Sequence, residues 1–220
     1  MLKQAAGIGV FLMMASVVPA AAQRVEVSGT VGFALSDGVD GEGVRAGNGQ
    51  IYNEVDVADG MSWGFSVGVL ATENVEVGFL FNKQSSSLDV KGTTTLELGD
   101  MNVTTYHPYI AYNLGDSDAK ARPYLLFGLG ATNYGKVSFT ALGAQRETGG
   151  ETQFSTTWGA GVKFFPGTNV GARFGVQWTP TYIKSDAEGW WCDPWYGCYV
   201  VGDAQYSNQL QFSGGVTVRF

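Results

Sequence analysis

Few side chains in this chain could do chemistry: two cysteines, one histidine, an acidic loop and a scatter of charges among apolar and glycine-rich runs. Cys192 and Cys198 lie in Trp190-Trp191-Cys192-Asp193-Pro194-Trp195-Tyr196-Gly197-Cys198-Tyr199. In an exported protein such a pair predicts a disulfide, worth about 2 to 3 kcal/mol through the entropy of a short closed loop. Two thiols alone make a poor zinc site, and no metal or other cofactor is expected. The surrounding Trp190, Trp191, Trp195, Tyr196 and Tyr199 could stack on sugars or anchor a protein contact; the alternative is packing within their own loop or at a bilayer edge. Asp37, Asp40 and Glu42 lack the spacing of an EF-hand loop and read as a solvated acidic turn. His107 is the only histidine. No base, nucleophile and orienter assemble around it in the sequence, so no catalytic residue is assigned.

The elements that must position these groups begin after residue 22. Lys3 gives a positive start, Ala5 to Val18 is almost wholly apolar, and Pro19-Ala20-Ala21-Ala22 closes with small residues. Residues 1–22 therefore read as a secretory signal cleaved before Gln23, with an apolar run shorter than the roughly 20 residues of a membrane helix. The remainder, 23–220, is expected to form one domain. Removing Lys3 leaves 12 Lys and Arg against 20 Asp and Glu, a formal charge of −8, which argues against nucleic acid as a partner.

Period-two alternation then dominates. The last segment sets Leu210, Phe212, Gly214, Val216, Val218 and Phe220 against Gln209, Gln211, Ser213, Gly215, Thr217 and Arg219. Similar alternation marks strands starting at Val25, Met61, Val75, Leu125, Phe154 and Val170, with Leu80 and Leu126 as exceptions. In a further strand Met101 and Val103 lie in one phase and Tyr106, Ile110 and Tyr112 in the other, which a bulge near Thr104 or Thr105 would reconcile. Short turns at 71–74, 115–121 and 166–168 alternate with long polar connections at 36–50, 84–100, 135–151 and 180–206. Eight antiparallel strands joined up-and-down predict an all-β transmembrane barrel with short periplasmic turns and long external loops.

A soluble lipocalin-like barrel shares the alternation but would need a strongly charged outer face. Here the polar positions are chiefly Gly, Ser, Thr and Gln, suited to a crowded lumen, and the apolar face suits lipid. Glu26, Glu76 and Arg173 open upward strands, while Lys163 and Arg219 close downward ones. All five are expected to meet in an ionic cluster at the periplasmic end of the lumen, with Glu26 close to Arg219 and an acid between Arg173 and Arg219; the alternative is a solvated rim of charges with no plug.

Three stretches carry a resemblance: Pro123-Tyr124-Leu125-Leu126-Phe127-Gly128-Leu129-Gly130, Trp158-Gly159-Ala160-Gly161-Val162-Lys163-Phe164-Phe165, and the terminal Val216-Thr217-Val218-Arg219-Phe220. In these the chain resembles the small outer-membrane β-barrel family that includes opacity-type proteins, OmpX and the membrane domain of OmpA. The resemblance implies an outer-membrane location, outer-membrane lipid and lipopolysaccharide as surroundings, and recognition by the barrel assembly machinery through Val216, Val218 and Phe220. It also implies a monomer; unlike OmpA, the chain is expected to stop at the barrel, with no periplasmic domain after it. Lipid A deacylases of this size carry Ser two residues after His, whereas Tyr109 stands there in this chain. A non-enzymatic envelope barrel is the leading expectation, its external partner unidentified. The alternatives are a narrow channel, a lipid A-modifying enzyme and a soluble ligand-binding barrel.

Overall fold

The computed structural model describes residues 24–37, 39–45, 51–92, 94–141, 144–167, 169–183, 192–193, 197–198 and 205–220. Its strands in chain order are β1 (Val25–Ser36), β2 (Val39–Arg45), β3 (Ile51–Val57), β4 (Gly60–Leu70), β5 (Val75–Gly92), β6 (Thr95–Asn113) and β7 (Ala121–Tyr134). They continue as β8 (Lys136–Ala141), β9 (Ala144–Gly149), β10 (Thr152–Phe164), β11 (Val170–Ile183), β12 (Cys192–Asp193), β13 (Gly197–Cys198) and β14 (Gln205–Arg219). Eight of them close an antiparallel barrel in the order β5-β4-β1-β14-β11-β10-β7-β6, with β6 returning to β5. The closing seam sets Glu26 opposite Arg219 and Phe33 opposite Phe212.

Alternation explains the two faces. On β4, Met61, Trp63, Phe65 and Val67 point outward, while Ser62 and Ser66 are buried inside. A large hydrophobic side chain at 40 to 60% exposure would be a liability in water, but eight strands carry them on one continuous outer face, which only lipid satisfies. The interior is the inverse, with Glu26, Glu76, Asn82, Gln84, His107, Arg122, Lys163 and Arg219 all buried.

Two expectations are corrected. Within 84–100, residues 84–92 and 95–100 are strand and not loop. β5 and β6 have 18 and 19 residues, well beyond the roughly 9 to 11 that cross a bilayer, and stay paired to Lys91 and Thr95. Alternation there is obscured because this part of the hairpin stands in water, where Ser85, Ser86, Ser87 and Asp89 are suitable wall residues. The connections at 36–50 and 135–151 likewise contain strand: β2 pairs with β3, β3 adds to β5, and β8 pairs with β9.

Nor is there a bulge at Thr104 or Thr105. Both ladders of β6 keep one register through them, with Lys83 opposite Thr104 and Thr105 opposite Thr132. The irregularity lies further out, where Leu88 pairs with Gly99 and Asp89 with Glu97, leaving Leu98 as the extra residue. Met101 and Val103 share the inward face of His107 and Tyr109, and change company rather than side. They join Val57, Leu88, Tyr134, Val137 and Ile183 in an apolar core inside the external extension of the barrel.

Candidate functional site

The chemistry of the chain is concentrated in its lumen, which is filled in layers. At the periplasmic end the seam register brings Glu26 and Arg219 side by side, and Arg219 donates through Nη2 and Nε to Glu26 Oε1 at 2.8 and 3.0 Å. Lys163, closing β10, reaches across and places Nζ 2.5 Å from Glu26 Oε2 and against Glu76 Oε2. Glu76 also accepts from Tyr109 Oη at 2.5 Å and from Asn113 Nδ2 at 3.5 Å. Arg219, Glu26, Lys163 and Glu76 thus form one chain of alternating charge, each member no more than 8% exposed. Such a chain is stabilising only when every charge is matched, since stranding one in a low-dielectric interior costs several kcal/mol.

Arg173 feels the charge of Glu76 but makes no direct ion pair with that chain. Among the described residues no carboxylate lies within ion-pairing distance of it, and none of them bridges Arg173 and Arg219. Its Nε donates to Tyr124 Oη at 3.0 Å, its Nη1 to Ser66 Oγ at 2.9 Å, and its guanidinium lies 4.6 Å from the centre of the Tyr124 ring. Arg122, Tyr109, Tyr124 and Phe165 belong to the same layer and escaped the reading of the sequence. Arg122 donates to the Glu73 carbonyl at 2.7 Å, and the buried Phe165 ring lies 4.1 Å from the Arg219 guanidinium, flooring the lumen. Inward glycines were the available signal. A Cβ at Gly68 or Gly78 would meet Tyr109, and one at Gly161 or Gly175 would meet Tyr124, so the small residues mark where large rings cross.

Above this lies a layer of neutral polar groups. Gln209 Nε2 donates to Gln84 Oε1 at 2.5 Å, Gln211 Nε2 to Ser62 Oγ at 2.9 Å, and Asn82 Nδ2 to Gln177 Oε1 at 3.3 Å. Ser62, Asn82, Gln84, Gln209 and Gln211 border a space of about 10 Å³, enough for one water molecule. His107, on β6, has Nε2 2.9 Å from Ser155 Oγ, and Thr132 donates to the same oxygen at 2.9 Å. A serine therefore does stand beside the only histidine, supplied by β10 rather than by the position two residues on. Both side chains are 1% exposed, and His107 Nδ1 has no hydrogen-bond partner to orient the ring. The apolar core around Met101 and Val137 closes the external end.

The backbone pairs Cys192 with Cys198 across β12 and β13, and their side chains lie outside the described residues. Trp190, Trp191, Trp195, Tyr196 and Tyr199 lie outside them as well. Val216 and Phe220 are exposed on the outer face with Val218 in the same phase, and the Phe220 N–H donates to the Val25 carbonyl at 2.9 Å. Among the described residues no group of three potential metal ligands comes together.

A sequence model of the outer membrane protein beta-barrel domain matches residues 8–220. No curated protein sequence matches the chain. Among solved structures, OprG of Pseudomonas aeruginosa is similar at 12% identity and a TM-score of 0.61, over 90% of this chain and 96% of that one. Neisserial surface protein A is similar at 15% identity and a TM-score of 0.53, over 89% of this chain and 97% of that one. AlkL, solved in lipid bilayers, is similar at 13% identity and a TM-score of 0.54, over 92% and 93%. At such identities the likeness is one of fold.

Proposed function

The chain belongs to the outer membrane protein β-barrel family and resides in the outer membrane, and from that premise we propose that it is a non-enzymatic, non-conducting envelope barrel. In this reading the strands anchor a sealed lumen in the bilayer and hold the extended external hairpins and loops toward the surroundings. One observation carries it: among the described residues the lumen is crossed by three bonded or packed layers, the ionic chain, the glutamine and asparagine layer bordering a space of about 10 Å³, and the apolar core above. An eight-stranded barrel encloses little more than its own side chains, and these side chains are bonded to one another.

The reading extends to the surroundings. Every barrel strand is paired on both edges within one chain, which favours a monomer in lipid and lipopolysaccharide. Phe220, Val218 and Val216 supply the terminal pattern for the assembly machinery, residues 1–22 the export signal, and Cys192 and Cys198 a disulfide in the external loop. A lipid A-modifying activity is disfavoured because His107 and Ser155 face the filled interior, away from the lipid that would be their substrate.

Planar bilayer recording of the purified, refolded protein tests the sealed lumen. No unitary conductance is expected at neutral pH. Reproducible single-channel steps that vanish on heat denaturation would overturn the reading in favour of a channel.

A further inference from the structure

The outer face of the barrel is almost free of charge through the height of the membrane, and the first cation above that apolar zone, among the described residues, stands in a particular place. From the periplasmic ends of the eight strands up to the level of Trp63 and Tyr106, the outward side chains are apolar, aromatic or small and neutral. Among the described residues the first cation on that face is Lys83, at the level of Trp63. Its neighbours Asn82 and Gln84 bond inside the lumen, so strand alternation turns Lys83 outward. On the ladder it sits between Trp63 and Thr104. No carboxylate of the described residues lies within ion-pairing distance of it, whereas Lys91, further out, is paired with Asp56 at 2.5 Å.

Beside and below Lys83 is a platform of four rings, Trp63 at its own level and Phe65, Phe81 and Tyr106 one row beneath. Phe81 lies 5.5 Å from Trp63, 5.1 Å from Phe65 and 5.4 Å from Tyr106, centre to centre, and Trp63, Phe65 and Tyr106 are 42 to 49% exposed. The β7–β10 wall also has packed rings, Phe127 and Trp158 at 4.5 Å, but there Thr156 accepts from the Trp158 indole and, among the described residues, no cation adjoins them on the ladder.

We propose that Lys83 and this aromatic platform form a binding site for a phosphorylated glycolipid of the outer leaflet. The phosphate pairs with the Lys83 ammonium, the Thr104 hydroxyl lies alongside, and an acyl chain runs down over Phe81, Trp63 and Tyr106. Two needs of this wall point to a single occupant. An ammonium at the edge of the hydrocarbon is costly unless an anion meets it there, and exposed rings need an apolar neighbour. A phosphorylated amphiphile supplies both from one molecule, at the height where outer-leaflet headgroups begin. The site rests on the outer-membrane location and is independent of whether the lumen conducts, so a channel recording that refuted the sealed lumen would leave it standing.

Native mass spectrometry of the folded barrel tests it, with diphosphorylated lipid A, dephosphorylated lipid A and phosphatidylglycerol as probes. Wild type should retain diphosphorylated lipid A, K83Q should retain it about tenfold less well, as expected for the loss of one charge-assisted contact, and K83R should behave as wild type. Dephosphorylated lipid A should not distinguish wild type from K83Q, and excess inorganic phosphate should not displace the glycolipid. Heat-modifiable gel migration checks that each variant is folded. Equal retention by wild type and K83Q overturns the site. Retention of phosphatidylglycerol as strong as that of lipid A would reduce it to a general anionic contact, and displacement by inorganic phosphate would make it a solution anion site; either outcome also overturns the proposal.

Discussion

Replacing Lys163 with Met would break the lumen's ionic chain at its centre. Met keeps most of the length of the side chain and removes the ammonium that lies 2.5 Å from Glu26 and also binds Glu76. Glu26 would keep Arg219 at 2.8 Å, but Glu76 would keep only the Tyr109 hydroxyl and a 3.5 Å contact with Asn113. At an effective dielectric constant of about 20, unit charges about 4 Å apart attract by about 4 kcal/mol. Two such attractions are lost, the repulsion between the two carboxylates is no longer screened, and the desolvation of Lys163 is recovered. The balance should fall in the range of about 3 to 5 kcal/mol that removal of one partner from a buried pair costs. The assay is urea unfolding of the protein refolded into phospholipid vesicles, followed by tryptophan fluorescence and gel migration. Adding Glu76→Gln to the Met variant should restore part of the loss, because it removes the stranded charge. A loss below about 1 kcal/mol in K163M, or a Glu76→Gln cost that simply adds to it with no coupling, would refute the view of these residues as one interdependent chain.

Deleting Phe220 should lower the level of the protein in outer-membrane fractions severalfold, while Phe220→Trp keeps it; a normal level of the truncated protein would remove the assembly role of the terminal strand. Denatured, unreduced protein from intact cells should show no alkylatable thiol at Cys192 or Cys198, and labelling of both would exclude the disulfide.

Much of the architecture is legible in residue order because lipid enforces a rule with few exceptions: an outward position in the bilayer is apolar. The pairing of Glu26 with Arg219 could be read from the two strand ends, since closing the barrel joins β1 to β14 and leaves a narrow choice of register. Tyr124 was harder, because Tyr124, Leu125, Leu126 and Phe127 are all large and apolar in character, so no face stands out. Leu126 and Leu80 face inward with Tyr109 and Tyr124 and form a small apolar layer of the lumen, which a rule of polar interiors cannot foresee. Arg122 stands at the very start of β7, before alternation is established, and its bond is to the backbone of a different turn.

The phase conflict in β6 shows what alternation measures. Tyr106, Ile110 and Tyr112 face lipid, and Met101 and Val103 on the same regular strand face inward. Nothing in the backbone reverses between them. The solvent outside the wall changes from hydrocarbon to water as the strand leaves the membrane, so the apolar face moves from the outside of the barrel to the inside, and the interior changes from bonded polar groups to an ordinary hydrophobic core. A phase reversal in a strand of this length therefore marks the height of the membrane boundary as naturally as it marks a bulge. On β6 that boundary falls between Tyr106 and Val103, beside Thr104, and Thr104 is the ladder partner of Lys83. The height at which the barrel's own packing turns inside out is thus the height at which its outer wall presents a cation, where lipid headgroups meet water.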